Sequence, residues 1–199
     1  MKKLYYIIFF AALVAVFFVV LSNAAPSYFH PKLKPISTVQ PFSFKDQDGK
    51  LITNKDVDGK VNVVSFFFTT CTSVCPRMNH NLIPVYEAFK NEPNFLMLSY
   101  TCDPQRDSVA KLKRYADSMH VDENKWLFLT GQKDSLYAMA RHSYMIDDQR
   151  TGVSTETDFL HTQLVALVNK NGEVVKIYDG LKPSELEQMK GEIAGLLKD

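Results

Sequence analysis

The apolar run at the amino terminus restricts this chain more than any other feature. Leu4 to Leu21 reads LYYIIFFAALVAVFFVVL, with no charge, glycine or proline. At 1.5 Å per residue this makes about 27 Å of helix, close to the ~30 Å hydrocarbon core of a bilayer. A helix apolar on every face does not belong on the outside of a soluble domain. Two readings remain. One is an uncleaved membrane anchor, which the length favours, because the apolar part of a signal peptide is usually about 7–15 residues. The other is a signal peptide cut after the small-residue segment Ser22-Asn23-Ala24. In both, Lys2 and Lys3 hold the amino terminus in the cytoplasm and the remaining chain crosses the membrane. The rest of the protein is therefore expected outside the cytoplasm.

Those two lysines are the only charges before residue 32. Setting them aside moves the net charge of +1 to the acidic side of neutral. A balance so close to zero carries no electrostatic footprint for nucleic acid, and no nucleic-acid partner is expected. Pro26, Pro31, Pro35 and Pro41 follow at short spacing and suggest an extended, semi-rigid spacer. The expected organisation is an anchor or signal peptide over 1–24, a proline-rich linker over 25–40 and one domain over 41–199. His30 falls in the linker and reads as a solvated residue.

From Phe42 onward strand and helix patterns alternate. Asp48-Gly49 between Phe42-Ser-Phe and Leu51-Ile-Thr signals a hairpin. Val61–Phe68 (VNVVSFFF) is a nearly unbroken β-branched and aromatic run, as in a strand buried on both faces. Met78, Leu82, Val85, Tyr86 and Phe89 recur at helical spacing, with Pro84 expected to kink that helix or mark its start. Phe95–Tyr100 reads as a second buried strand. Val109, Leu112, Ala116 and Met119 form a helical stripe that Asp107 or Ser108 is placed to cap. Trp126–Leu129 is a third strand, and Asp134 is placed to cap a short helix through Arg141. Asn171-Gly172 joins two further strand runs, and Ser184 with Glu187 has capping-box spacing before the final helix. The order reads as a single α/β sandwich domain.

Chemistry concentrates on Cys71 and Cys75, in TTCTSVCP directly after the first long strand. Functional groups in open α/β sheets gather beyond the carboxyl ends of strands. Cysteines four apart in one helical turn would sit with Cβ atoms about 5–6 Å apart, suited to meeting on one metal ion. A nearby helix amino terminus favours the thiolate that metal binding and disulfide exchange both require. A structural disulfide is the competing reading. A pair alone leaves a metal site incomplete, so a histidine is sought. His120 and His142 read as surface residues, and His80 is a weaker candidate. His161 is the best, at the mouth of the strand Gln163–Val168 after a polar, turn-rich stretch (147–158). Two thiolates and an imidazole suit Cu(I) and also accept Cu(II) or Zn(II). Met78 reads as core packing. Cys102 reads as a small buried hydrophobe, with a third redox thiol as the alternative.

Cys71-x-x-x-Cys75-Pro76 after an FFFTT strand resembles the Sco/SenC family of thioredoxin-fold copper proteins. Asp103-Pro104-Gln105-Arg106-Asp107 resembles that family's D-P-x-R-D segment, and His161-Thr162 before LVALVNKNGEVV resembles its distal histidine and hairpin. Ser73 departs from the pattern, where the family often has Asp, as does Cys102 in place of an aliphatic residue. The resemblance implies a thioredoxin-like α/β sandwich with an N-terminal hairpin, preceded by one transmembrane helix. It further implies a single-pass protein of a bacterial-type inner membrane, its domain in the periplasm, binding copper through Cys71, Cys75 and His161. The implied partner is the cytochrome c oxidase subunit that carries the dinuclear copper site. The alternative is a thiol-disulfide oxidoreductase of TlpA-like or peroxiredoxin-like kind. In that reading Cys71 and Cys75 are the redox dithiol and His161 is dispensable.

Overall fold

The computed structural model of the protein describes residues 2–24, 34–146 and 162–198. It divides between Lys34 and Pro35 into two compact units. The first contains helix α1 (Lys2–Ala24), long and apolar enough over Lys3–Val20 to cross a membrane. His30 lies outside the described residues.

The second unit opens with β1 (Ser37–Thr38), β2 (Ser43–Lys45), β3 (Leu51–Thr53) and the single turn α2 (Asn54–Val57). It continues with β4 (Val61–Phe67), α3 (Val74–Phe89), β5 (Phe95–Thr101), α4 (Val109–Met119) and β6 (Trp126–Leu129). Helix α5 (Lys133–Ala138) widens into a looser π turn over Met139–Ser143. β7 (Leu164–Val168), β8 (Glu173–Asp179) and α6 (Pro183–Lys198) complete the unit.

Among the described residues one sheet has six strands in the order β1-β8-β7-β4-β5-β6. β4, β5 and β6 run parallel, whereas β7 is antiparallel to β4. All of β4 and β5 is buried, which explains their uninterrupted apolar sequence. Tyr115 of α4 packs on Phe67 with ring centroids 5.1 Å apart, and Asn79 of α3 donates to the Tyr115 hydroxyl, so both helices share one face. The β2–β3 hairpin and α5 contribute Phe44, Ile52, Leu136 and Ala140 to the cluster on the other, with Phe66 and Tyr100. Both hairpin turns use glycine in the left-handed region, Gly49 (φ 80°) and Gly172 (φ 73°), as Asp-Gly and Asn-Gly hairpins require.

Several expectations are refined. The proline-rich segment does not stay separate to residue 40: Ser37 and Thr38 pair with Val174 and Glu173 at the sheet edge. Pro84 neither starts nor ends α3, which runs through it. The short helix begins after Gln132 rather than at an Asp134 cap, and Asp134 occupies its first turn. The last helix likewise starts at Pro183, a position where the missing N–H costs nothing.

Candidate functional site

β4 leaves the sheet at Phe67, and its next residues form a loop that ends where α3 begins at Val74. Cys71 lies in that loop and Cys75 in the first helical turn, so the two are not on one helical face as their spacing alone suggests. Neither is in a disulfide in the structure. Ser73, at the position that precedes the helix, makes no capping bond with its side chain. The Cys71 sulfur acts there instead, accepting the N–H of Cys75 at 3.4 Å.

The two thiols differ sharply in electrostatics. Burial pushes Cys71 up, but hydrogen bonds from the Cys75 thiol and from the N–H groups of Cys75, Ser73 and Val74 outweigh it. The net effect holds Cys71 below the ordinary thiol value. This is anion binding at a helix amino terminus, applied to sulfur. Cys75 is buried, and burial together with its bond to Cys71 pushes its pKa up to about 12. Of the two, Cys71 is the one held nearer its thiolate form.

Both open on a cavity of about 370 Å³, lined also by Phe66, Phe68, Thr70, Thr162 and Gln163. The opposite wall arises from topology. β7 runs antiparallel to β4, with Ser65 opposite Val165, so the chain entering β7 arrives where β4 departs. Thr162 is buried and accepts the Leu164 N–H at 3.0 Å. The Gln163 side chain donates to Asp179 at 2.9 Å and its carbonyl accepts the Gly180 N–H at 2.8 Å. His161 itself lies outside the described residues, as does the stretch 147–158. Among the described residues there is no group of three His, Cys, Asp or Glu side chains placed to hold a metal.

His80, His120 and His142 are exposed, and none of the three lines the cavity. Met78 has no exposed surface and packs in the core, as its helical position implies. Cys102 is 1% exposed within the apolar cluster, and its thiol is held well above the ordinary range, first by burial and then by the nearby Cys75, Asp107 and Asp103. It behaves as a small core residue.

Of the two residues placed to cap α4, Ser108 takes the N-cap position. Asp107 has a role the sequence did not reveal: its carboxylate accepts from Thr69 and Thr101. The available signal was its place in the D-P-x-R-D segment. Asp103, at the start of that segment, is buried, with one carboxylate oxygen 3.5 Å from the Arg106 guanidinium and no hydrogen bond to it.

A parallel-centred α/β sheet with a dithiol where its first long strand meets a helix defines a thioredoxin-like protein. Comparison with known proteins agrees. The "SCO1 protein homolog" of Bacillus subtilis is 27% identical over 157 residues, covering 78% of this chain and 80% of that protein. The structure of BsSco, described as a member of the Sco family of cytochrome c oxidase assembly proteins, superposes with TM-score 0.70 at 24% identity. It covers 84% of this chain and 98% of that one. The crystal structure of Arabidopsis thaliana ScoI with copper bound superposes with TM-score 0.62 at 26% identity, covering 80% and 99%. The SCO1/SenC family profile matches residues 31–198. The chain belongs to the SCO1/SenC family.

Proposed function

We propose that this protein is a membrane-tethered copper chaperone whose cargo ion is held by Cys71, Cys75 and His161. It delivers copper to the dinuclear copper site of cytochrome c oxidase. The observation that carries the reading is the cavity at the dithiol, whose far wall is Thr162–Gln163, the start of the chain that leads into β7. Two thiolates and an imidazole form a soft, low-coordinate set matched to Cu(I). Family membership and the copper-bound Arabidopsis relative support the cargo. The amino-terminal helix supports tethering, with Lys2 and Lys3 on the cytoplasmic side and the domain outside. Transfer proceeds by ligand exchange, in which the acceptor's thiolates displace His161 first and then the cysteines.

The test is a Cu(I) titration of the detergent-solubilised, reduced full-length chain with X-ray absorption at the copper edge. The expected result is one tightly bound ion with two sulfur neighbours and one nitrogen neighbour, the nitrogen lost in His161→Ala. Equal stoichiometric binding by wild type, His161→Ala and Cys71→Ala would sink the assignment.

A second activity is favoured by the unequal thiols. A lowered Cys71 beside a raised Cys75 is the arrangement of an attacking and a resolving thiol. Cys71 thiolate attacks a partner disulfide, displacing one partner sulfur as thiolate and forming a mixed disulfide. Cys75 loses its proton and attacks Cys71, releasing the partner's second thiolate and leaving Cys71–Cys75 oxidised. Trapping of the mixed disulfide with Cys75→Ser, and none with Cys71→Ser, is the expected outcome.

A further inference from the structure

The carboxyl ends of the three parallel strands are tied together by one residue, through its carboxylate and its main-chain carbonyl. Asp107 has no exposed surface. Its Oδ2 accepts the Thr69 N–H at 3.0 Å and the Thr101 hydroxyl at 2.7 Å, and its Oδ1 accepts the Thr69 hydroxyl at 2.5 Å. The Asp107 carbonyl accepts the Thr130 hydroxyl at 3.1 Å. Its own N–H donates to the Asp103 carbonyl at 2.8 Å. Thr69 follows β4, Thr101 ends β5 and Thr130 follows β6, so a threonine from each strand end converges on this residue. Lys111, one turn along α4, brings its ammonium within 3.4 Å of Oδ1.

We infer that Asp107 is a positioning residue for the dithiol, fixing through Thr69 the loop that presents Cys71 to α3. A buried carboxylate is costly unless its acceptors are used, and here two of the three bonds to it go to the residue two positions before Cys71. The Cys71 sulfur reaches the helix N–H groups only if the loop from Phe68 to Ser73 keeps its path. The Cys71 N–H to Phe68 carbonyl bond of 3.1 Å tightens that path locally, while Asp107 fixes it to β5 across 38 residues of sequence. Partners one step removed from metal ligands typically alter affinity by about 10- to 100-fold. This role deepens the chaperone reading and rests on it only for the copper measurement.

The experiment compares wild type, Asp107→Asn, Thr69→Val and the core control Val57→Ala as full-length reduced protein in detergent. Two quantities are read: the rate of Cys71 alkylation by iodoacetamide at fixed pH without metal, and Cu(I) affinity by competition with a chelator. Thr69→Val leaves the Asp107 charge in place and keeps the test open if Asp107→Asn does not fold. Both site variants are expected to slow Cys71 alkylation several-fold and to weaken Cu(I) binding about tenfold. Val57→Ala, which lowers stability at the far end of the sheet, is expected to change neither. Wild-type rates and affinities in the site variants overturn the proposal, as does an equal change in Val57→Ala. Faster alkylation in Asp107→Asn also overturns it, because the residue would then act through its charge rather than through the loop. If wild type fails to bind Cu(I), the chaperone reading falls while the alkylation rates still decide the role of Asp107.

Discussion

The two ends of the central sheet differ in how much buried polarity they gather around one residue. At the carboxyl end, Asp107 takes up donors from three strand ends, Cys71 takes up the helix N–H groups, and a cavity of about 370 Å³ stays open beside them. At the amino end, a cavity of about 70 Å³ sits among Val57, Asn62, Tyr144 and Gly172. Asn62 there is 3% exposed, and its Oδ1 has no hydrogen-bond partner among the described residues. At the first end Asp107 has both carboxylate oxygens paired, and the unmatched Asp103 Oδ2 beside it still has the Arg106 guanidinium at 3.5 Å. At the other the unmatched acceptor belongs to a neutral amide, and no side chain gathers several strand ends around it.

The largest test of this contrast is at the thiols. Cys71→Ser or Cys75→Ser is expected to weaken Cu(I) binding by more than about a hundredfold, beyond the range seen when residues behind metal ligands are changed. Asn62→Leu is expected to leave it unchanged, and chelator competition measures both. A loss of copper affinity in Asn62→Leu would remove the functional difference between the two ends.

Next comes pH. An unfolded thiol titrates near ~8.5, and folding pushes Cys75 up to about 12. Between those values the folded state holds the proton more tightly, so stability falls as pH rises through that window. The share due to Cys75 is at most about 1.4 kcal/mol per pH unit. Denaturant melts of the reduced, metal-free protein should show a shallower decline in Cys75→Ala.

Gly180 sets the third effect. A Cβ there would lie 2.7 Å from Met78 Cγ and 3.0 Å from the Gln163 carbonyl oxygen, crowding both α3 and the cavity wall. Gly180→Ala is expected to cost about 1–3 kcal/mol of unfolding free energy. The smallest effect belongs to the amino end. Asn62→Leu removes an unmatched acceptor together with the 2.9 Å bond to the Lys60 carbonyl, and stability should change by no more than about 1 kcal/mol. A larger loss would show that Asn62 organises its end as Asp107 does the other.

The strands and helices were legible because β4 and β5 are buried on both faces and the helices carry apolar stripes. Cys71 and Cys75 were legible as a pair because they follow a buried strand. In the redox alternative the direction of their inequality was legible too, the more amino-terminal Cys71 reading as the attacking thiol, but its cause was not, because it depends on where α3 starts. The role of Asp107 was hidden because beside Ser108, which does take the N-cap position, local capping is the obvious alternative. Only the parallel register that brings Phe67 opposite Thr101 reveals the other one. The pairing of Ser37–Thr38 was hidden because a strand of two residues has no period to detect.

That short strand governs how a pull on the chain before residue 35 would reach the sheet. Chain arriving from residue 34 is stitched to β8 by the Ile36 N–H to Val174 and Val39 N–H to Gly172 bonds, at 2.7 and 2.9 Å. Tension is therefore discharged at the outermost strand, and β8 and β7 both stand between it and β4. In mechanical terms the edge is expendable: a pull applied at residue 34 would strip β1 from β8 before it disturbed the strand that leads to the thiols.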